Sequence, residues 1–351
     1  MTVDNLPQTF LTGYAEVLLK ASATGRRLTR EELSSHRAMG ARAAEAGYDW
    51  RQILREHLAA GRVVRPRSAA DLDGVLATVG QALDAFADGY QRAQRAAAHT
   101  HDTARRAFIG GLLSGTFDPE ALAVDAERFG LQLSHAHSVA VAVGPEPYDD
   151  THAVTRKVST DTLSRFGSRG VLLAAVDGAL VCVTPGGQDD VPAHFAERAV
   201  AAGAVRVAIG RARQGAAGCG HSYREALGVL SVADRMAFEE PVLHAVDLLV
   251  FPVLTRDRQA LTDLVQTMLG PLEQARGGAR PLLRTLAVYF DAGCVTAEAA
   301  RRLSLSVRAL TYRLQRVRAL TGSDPADPRH RYALQTAVIG ARLLDWPENG
   351  P

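Results

Sequence analysis

The sequence is poor in lysine and cysteine and has no long apolar run. Lys20 and Lys157 are its only lysines, so almost every positive charge is carried by arginine. The three cysteines, Cys182, Cys219 and Cys294, have no CxxC spacing, which indicates buried free thiols rather than disulfides or a zinc site. No stretch approaches the roughly eighteen apolar residues of a membrane helix, and the N-terminus lacks a basic or apolar run. We therefore expect a soluble, cytoplasmic protein without a membrane partner.

The net charge is also small, but its distribution is uneven. The formal net charge is +2 over 351 residues, of which 47% are apolar, enough for two or three domains with cores of their own. Residues 281–351 hold ten arginines and six acids, a net charge of about +4. The other 280 residues hold 30 basic and 32 acidic side chains, a net charge of about −2. A basic C-terminal segment on a mildly acidic body favours contact with nucleic acid.

Residues 296–322 predict two short helices joined by a tight turn. Thr296 is the expected N-cap of the first helix, which ends near Leu303, and Ser306 is the expected N-cap of the second, which ends at Gly322. Between residues 299 and 323 there are six arginines and no acid. The second helix has an apolar stripe at helical spacing, formed by Val307, Leu310, Leu314, Val317 and Leu320. This pattern is typical of a DNA-binding helix-turn-helix.

The same segment supplies the candidate DNA contacts. The residues that lie off the apolar stripe near the start of the second helix are expected to reach bases or the groove: Arg308, Thr311, Tyr312 and Gln315. Ser306 completes this set at the beginning of the helix. The other arginines are expected to hold phosphates, which position a protein on DNA without specifying a sequence: Arg301, Arg302, Arg313, Arg316 and Arg318.

Six short motifs around these helices occur in a fixed order. They are residues 286–290 (LAVYF), 299–303 (AARRL), 312–314 (YRL), 320–322 (LTG), 327–328 (DP) and 331–334 (RYAL). Together they resemble the C-terminal helix-turn-helix of PucR/CdaR-type bacterial transcription regulators, over about the last seventy residues. That family usually begins its recognition helix with a run like His-Arg-Asn-Thr, where this chain has residues 306–309 (SVRA). The resemblance therefore implies the DNA-binding fold rather than the family's base preference.

The first 117 residues predict an N-terminal helical bundle. Helices are expected over residues 6–21, from Thr29, which begins a capping-box pattern, to Ala46, and over residues 48–60. A longer helix should follow Pro66, starting near Ser68 or Asp71. Its apolar residues recur at intervals of three and four: Leu72, Val75, Val79, Leu83, Phe86 and Tyr90. Such spacing fits either a coiled-coil seam with a second copy or one helix of an ordinary bundle. We expect a homodimer, because helix-turn-helix dimers bind paired half-sites.

Residues 118–245 predict a central α+β domain in the order β-α-β-β-α-β-α, with helices on one face of the sheet. Asp177-Gly178 predicts a tight hairpin. Residues 205–210 (VRVAIG) and 222–227 (SYREAL) resemble the degenerate GGDEF-like domain that precedes the DNA reader in the same regulators. A nucleotide cyclase of that fold would need a Gly-Gly-acid-Glu-Phe run at the hairpin, where this chain has residues 176–179 (VDGA). Cyclase activity is therefore not expected.

No catalytic, metal or cofactor site is predicted. His99 with His101 and His135 with His137 are two residues apart, and neither pair has a cysteine or acid at ligand spacing. The glycine-rich residues 215–220 lack the Lys-Ser/Thr of a phosphate-binding loop. A helical connector over residues 246–280, ending in a flexible joint, then leads to the helix-turn-helix domain over residues 281–351. The expected fold is multidomain and mainly α, with a central α+β domain.

The resulting prediction is a dimeric, non-enzymatic transcription regulator that binds double-stranded DNA. A small-molecule or protein signal would act through its N-terminal and middle domains. The alternative is a sensor or interaction protein that no longer binds DNA and acts through its N-terminal bundle. A small-molecule enzyme in the middle domain is a third hypothesis, and no residue constellation in the sequence supports it.

Overall fold

The computed structural model describes residues 26–61 and 69–347, together with residues 14, 16, 17, 19 and 20. The chain divides into two compact units, residues 1–105 and residues 106–351. Most of the helix expected over residues 6–21 lies outside the described residues. So does the segment with Pro66 and Ser68, where the long helix was expected to begin. Among the described residues, no helix is long and apolar enough to cross a membrane.

The first unit is helical. It contains α1 (Arg30–Glu45), α2 (Trp50–Gly61) and the first part of α3 (Ala69–Ser114). The predicted capping box is confirmed, because Thr29 Oγ1 accepts from the Glu32 amide at 3.2 Å and the Glu32 carboxylate accepts from the Thr29 amide at 2.8 Å. Helices α1 and α3 cross very closely. A Cβ atom at Gly40 would collide with the Phe86 carbonyl oxygen, and one at Gly89 would collide with the Arg37 carbonyl oxygen.

Much of the predicted seam on α3 is used inside this unit. Phe86 and Tyr90 are buried in a core with Met39, Ala43 and Ile53 of α1 and α2. Val75 is buried in a second cluster of the same unit, whereas Leu72 is 44% exposed. These contacts match the ordinary bundle helix, so the seam contributes no argument for a dimer.

Two buried histidines lie in the first unit. His36 Nδ1–H donates to the Glu32 carbonyl at 2.7 Å, and His57 Nδ1–H donates to the Ile53 carbonyl at 3.0 Å. The Nε2 atoms of both rings are buried without a partner among the described residues. Burial lowers the pKa of His57. The fold therefore stabilises the neutral imidazole of His57.

The second unit begins with an α+β domain built on one mixed sheet. Its elements in chain order are the end of α3, α4 (Pro119–Arg128), β1 (Ala136–Val143), α5 (Ala153–Phe166), β2 (Leu172–Val176), β3 (Ala179–Pro185), α6 (Asp190–Ala201), β4 (Arg206–Ile209), β5 (Arg213–Gln214), α7 (Gly215–Met236) and β6 (Val242–His244). The strand order is β2-β3-β1-β4-β6, and β5 pairs with the start of β1. Neighbouring strands are antiparallel except β4 and β6. The part from β1 to β4 has the ferredoxin-like βαββαβ arrangement.

Helices cover both faces of this sheet, so the prediction of a single helical face is wrong. Helices α5 and α6 pack on the face that presents Ala140 of β1 and Leu180 of β3. Val139 and Val141 point to the other face and are equally buried. Helix α7 packs against β1 there, and its Ser222 Oγ accepts from the Val139 amide at 2.9 Å. A strand buried on both faces has a continuous apolar run instead of an alternating one, which is what residues 138–143 (SVAVAV) have.

The C-terminal part of the second unit is helical. It consists of α8 (Val250–Thr255), α9 (Arg258–Leu269), a 3-10 turn (Gly270–Gln274), α10 (Arg280–Asp291), α11 (Thr296–Arg302), α12 (Val307–Thr321) and α13 (Pro328–Leu344). Leu269 and Leu272 share one core with Leu286, Leu310 and Leu334, so the segment expected to be a connector packs into the C-terminal core. The fold class is confirmed as multidomain and mainly α with a central α+β domain. The domain boundaries given above stay a prediction.

Candidate nucleic-acid interface

The two short helices and their turn form as predicted, with one difference at the first cap. Ser306 caps α12, since its Oγ accepts from the Ala309 amide at 3.1 Å. Gly322 ends α12 in the left-handed conformation, with φ at 73°. Thr296 is not the N-cap of α11, because that position is Val295, which makes no side-chain cap. Ser304 takes a left-handed φ of 53° in the turn between the helices.

The inner face of α12 packs against the C-terminal core. Leu310 and Val317 are fully buried, and Leu314 and Leu320 are partly buried against the same core. Val307, the fifth member of the predicted stripe, is instead 50% exposed because it lies in the first turn, beyond the edge of the core. The apolar contacts therefore hold α12 by its middle and its end, and leave its first turn projecting.

The outer face of α12 is polar, cationic and open. Its exposed residues are Ser306, Arg308, Thr311, Tyr312, Gln315, Arg316 and Arg318. Residues 308, 311, 312 and 315 follow one another at intervals that place them on one face of a helix. Tyr312 is 69% exposed, so its ring and hydroxyl are open to a partner. The Thr311 hydroxyl donates to the Val307 carbonyl at 2.9 Å, so its proton is already engaged.

The predicted arginines differ in their partners. Arg301 and Arg302 both bind Glu298, with nitrogen–oxygen distances of 2.8 and 2.7 Å. Hydrogen bonds from Arg302 and Arg301 lower the pKa of that carboxyl. Arg318 pairs with Asp324 at 2.9 Å.

The two remaining arginines on the outer face, Arg308 and Arg316, make no hydrogen bond or ion pair within the described part of the chain. Their guanidinium groups are the ones on α12 whose full charge is available to an anion.

The side chain of Arg313, which was predicted among the phosphate contacts, is directed toward α10 instead of the outer face. Its side chain is partly buried, and Nη1 donates to Thr285 Oγ1 on α10 at 3.3 Å. Position 313 lies three residues after Leu310 and one before Leu314, so it borders the buried stripe and turns toward the neighbouring helix. Arg313 is therefore less open to a phosphate than the arginines of the outer face.

Glu298 and Asp324 are the residues that the sequence interpretation missed. The acid-free window of residues 299–323 stops one position short of each. Glu298 precedes Arg301 and Arg302 by three and four residues, the spacing at which helical side chains meet. That spacing is visible in the sequence and could have identified the pairing. These two acids partly neutralise Arg301, Arg302 and Arg318. Less positive charge is therefore available to an anion than the number of arginines indicates.

The other predicted features of the middle domain have structural roles. Asp177 and Gly178 both have positive φ, 50° and 79°, which confirms the tight hairpin between β2 and β3. The glycine-rich residues 215–220 begin α7 in close packing. A Cβ atom at Gly218 would lie 2.7 Å from the Arg213 carbonyl carbon, and one at Gly220 would lie 2.8 Å from the Leu113 carbonyl oxygen. Within the described residues, no group of three or more His, Cys, Asp or Glu side chains could hold a metal ion.

Two family models match parts of the chain. Residues 282–339 match the PucR C-terminal helix-turn-helix domain, and residues 114–232 match the GGDEF-like domain. The first match contains α11 and α12 together with most of α10 and of α13. The second contains the sheet from β1 to β5 and most of α7.

Individual proteins add a weaker likeness. Three uncharacterised proteins, from two strains of Mycobacterium tuberculosis and from Mycobacterium bovis, are 30% identical over 190 residues, which cover 52% of this chain and 43% of each relative. The chain thus spans less than half the length of these relatives. The crystal structure of a regulator of polyketide synthase expression from Bifidobacterium adolescentis is 22% identical and covers 70% of this chain and 99% of that one. Its TM-score is 0.38, so the superposition carries no argument of its own.

Proposed function

Because the chain has the C-terminal helix-turn-helix and the GGDEF-like domain of PucR/CdaR-type transcription regulators, we propose that it is a DNA-binding transcription regulator. The observation that supports this best is the outer face of α12. It combines the exposed Arg308 and Arg316, which have no partner among the described residues, with an exposed Tyr312 and Gln315, on a helix held by its opposite side. A recognition helix needs this combination of a rigid mount and an open, cationic face.

Two groups of side chains would have different tasks in the complex. Arg308, Tyr312 and Gln315 follow one another along the outer face of α12 and would meet base edges in the major groove, with Ser306 and Thr311 beside them. Arg316 would bind phosphate directly. Arg301, Arg302 and Arg318 would do so with their charge partly balanced by Glu298 and Asp324. Two copies of the chain would present two such helices to paired half-sites about one duplex turn apart.

A salt titration of DNA binding tests this proposal. Fluorescence anisotropy with the full chain and labelled duplexes should show an affinity that falls linearly with salt on a logarithmic scale. Selection from a random duplex pool should enrich a site with two related halves. No binding at low salt, or no enriched sequence, would instead favour an interaction protein that acts through its N-terminal bundle.

The substitution Arg308→Ala tests base reading separately. If Arg308 contacts a guanine edge, the variant should lose about 1–3 kcal/mol of binding free energy on the selected site and tolerate more bases at one position. Affinity for random duplexes should change much less. A variant that keeps both the affinity and the sequence preference of the parent chain would remove Arg308 from the base contacts.

We also propose that control reaches the DNA reader from the other domains and that the chain acts without catalysis. The hairpin of the middle domain carries residues 176–179 (VDGA) where a cyclase of that fold needs acids to hold metal. Incubation of the chain with nucleoside triphosphate and magnesium, followed by chromatography, should yield no cyclic dinucleotide. Formation of such a product would contradict this part of the proposal.

A further inference from the structure

A cavity of about 810 Å³ lies in the second unit, beside the C-terminal module. Its lining comes from α7 of the α+β domain, from residues 245–255, from the start of α9 and from the last turn of α13. Pockets that bind small molecules commonly measure about 300–1,000 Å³ and are mostly apolar with a few polar groups. This cavity, called here the α7–α9 cavity, has that size, and no part of the DNA-binding proposal uses it.

Much of the lining is apolar. It includes Leu248, Leu249, Phe251, Val253 and Leu344. Leu249 is 38% exposed and Val253 is 73% exposed, so apolar surface remains open to water at this position. A ligand with a hydrocarbon or aromatic body would cover such surface and be stabilised by its burial.

The charged part of the lining is mostly cationic. It contains four arginines, Arg211, Arg224, Arg235 and Arg258, against the single acid Glu225. Two of the arginines are engaged, since Arg211 pairs with Glu225 at 2.6 Å and Arg235 donates to the Leu343 carbonyl. The guanidinium groups of Arg224 and Arg258 make no hydrogen bond or ion pair to any described residue. The excess of positive charge is notable because residues 1–280 as a whole carry a slightly negative net charge.

We propose that the α7–α9 cavity binds an organic anion with an apolar body, such as a medium-chain or aromatic carboxylate. Arg224 and Arg258 bind the anionic group by charge-assisted hydrogen bonds, for which the guanidinium is well suited. The apolar side chains within residues 248–253, together with Leu344, contact the apolar body of the ligand.

The position of the cavity links it to the DNA reader. Arg235 of α7 donates to the carbonyl of Leu343, in the last turn of α13. Leu261, another lining residue, packs against α13 so closely that a Cβ atom at Gly340 would lie 2.8 Å from its Cδ1. Helix α13 shares its core with α12, because Leu334 and Leu310 belong to one cluster. We therefore infer that occupancy of the cavity changes the affinity for DNA, which rests on the proposed function. By thermodynamic linkage, DNA binding then changes the affinity for the ligand by the same factor.

Binding is tested with a fluorescent anion and its neutral counterpart. The probes are 1-anilinonaphthalene-8-sulfonate and N-phenyl-1-naphthylamine, which has the same aromatic rings without the sulfonate. The full chain, the double variant Arg224→Gln with Arg258→Gln, and the control Arg156→Gln are titrated with each probe. Arg156 is exposed on α5, outside the cavity, and its side chain has no partner among the described residues.

The double variant should bind the anionic probe about tenfold more weakly or worse, because charged hydrogen bonds are lost. The control variant should match the parent chain, and all three should bind the neutral probe alike. Decanoate should displace the anionic probe from the parent chain, and 1-decanol should displace it far less. Since Arg224 and Arg258 are exposed and have no side-chain partner in the described part of the chain, circular dichroism should show unchanged folding.

Equal affinity of the anionic probe for the double variant and the parent chain would overturn the proposal. So would equal displacement by decanoate and 1-decanol. A second copy of the chain could also cover this surface. In that case sedimentation velocity would show dimer formation as the protein concentration rises, and the probe fluorescence per chain would fall over the same range. This result would contradict the assignment of the cavity to a small ligand.

The link to DNA is tested by repeating DNA titrations with and without saturating decanoate. A change in DNA affinity in the parent chain that is absent in the double variant supports the coupling, and an unchanged affinity in both overturns it. The two proposals fail in different ways. If the parent chain binds DNA but not the anionic probe, the proposed ligand site is wrong. If the parent chain binds the anionic probe but not DNA, the proposed DNA-binding function is wrong.

Discussion

The contrast between Arg316 and Arg313 gives the sharpest test of the DNA-binding face. Both are arginines on α12, three positions apart, so the substitution to alanine removes the same charge from the same helix. Arg316 is exposed and has no partner among the described residues. Arg313 is partly buried and donates to Thr285 on α10. If the outer face of α12 meets DNA, Arg316 is the one of these two residues that is placed to neutralise a phosphate.

The expected magnitude follows from counterion release. Each phosphate neutralised contributes about −0.9 to the slope of log affinity against log salt. Arg316→Ala should therefore make the slope less steep by about 0.9 per chain, or about 1.8 for a dimer that uses both helices. Taking this contribution as zero at about 1 M salt, the loss of affinity at about 0.15 M is roughly fivefold per chain and roughly thirtyfold for such a dimer. Arg313→Ala should leave the slope nearly unchanged.

Arg313→Ala should instead affect the fold. Loss of its hydrogen bond to Thr285 should lower the free energy of unfolding by about 0.5–1.5 kcal/mol, measured by urea denaturation. Arg316→Ala should leave that free energy within about 0.5 kcal/mol of the parent value, since it removes an exposed side chain without a hydrogen bond or ion pair to a described residue. An equal change of salt slope in the two variants, or no change for Arg316→Ala, would refute the assignment of the outer face.

Three further predictions concern the rest of the chain. Gly80→Ala should raise the free energy of unfolding by about 0.5–1 kcal/mol in thermal or urea melts, since the added Cβ has open space in α3. Gly89→Ala in the same helix should lower the free energy of unfolding by about 1–3 kcal/mol, because the added Cβ collides with the Arg37 backbone of α1. Equal effects of the two substitutions would contradict the close crossing of α1 and α3. Burial lowers the pKa of His57, so its contribution to stability is present above pH ~6.5 and is lost as the pH falls through the lowered pKa. His57→Phe should reduce this acid sensitivity in melts between about pH 4 and pH 7, and an unchanged pH profile would refute the role of the imidazole. In the native chain Cys294 should react with a thiol reagent before Cys219, because Cys219 is buried. Burial also raises the pKa of Cys219 to about 12, which lowers the thiolate fraction of Cys219 at pH ~8 roughly a thousandfold. Peptide mapping after alkylation checks the order, and faster labelling of Cys219 would contradict it.

Features that depend on near neighbours in the chain could be predicted from the sequence. Ser306 caps α12 and Gly322 ends it because both act on backbone groups within a few residues. The hairpin at Asp177 and Gly178 needs only two residues that accept positive φ. The buried positions Leu310 and Val317 follow from helical periodicity alone. The same locality would have revealed Glu298 as the partner of two arginines.

Features that depend on distant segments could not be predicted in this way. The sequence places Arg313 at the edge of a buried stripe, but the approach of α10 decides that its guanidinium meets Thr285 instead of water. The order of strands and helices was apparent, whereas the packing of α7 decides that the sheet is covered on both faces. Val307 belongs to the apolar stripe by spacing and is nevertheless half-exposed, because the core ends before the first turn of α12.

The amino-acid sequence by itself determined a basic amphipathic helix with its caps and its buried positions Leu310 and Val317, because these properties depend on residues a few positions apart in one segment. The tertiary structure alone decided that Arg313 is engaged by Thr285 of α10. It also created the α7–α9 cavity, whose lining spans residues 211–344. The physical reason is that periodicity specifies which side of a helix avoids water, whereas the neighbour that covers that side arrives from elsewhere in the chain and is selected by packing.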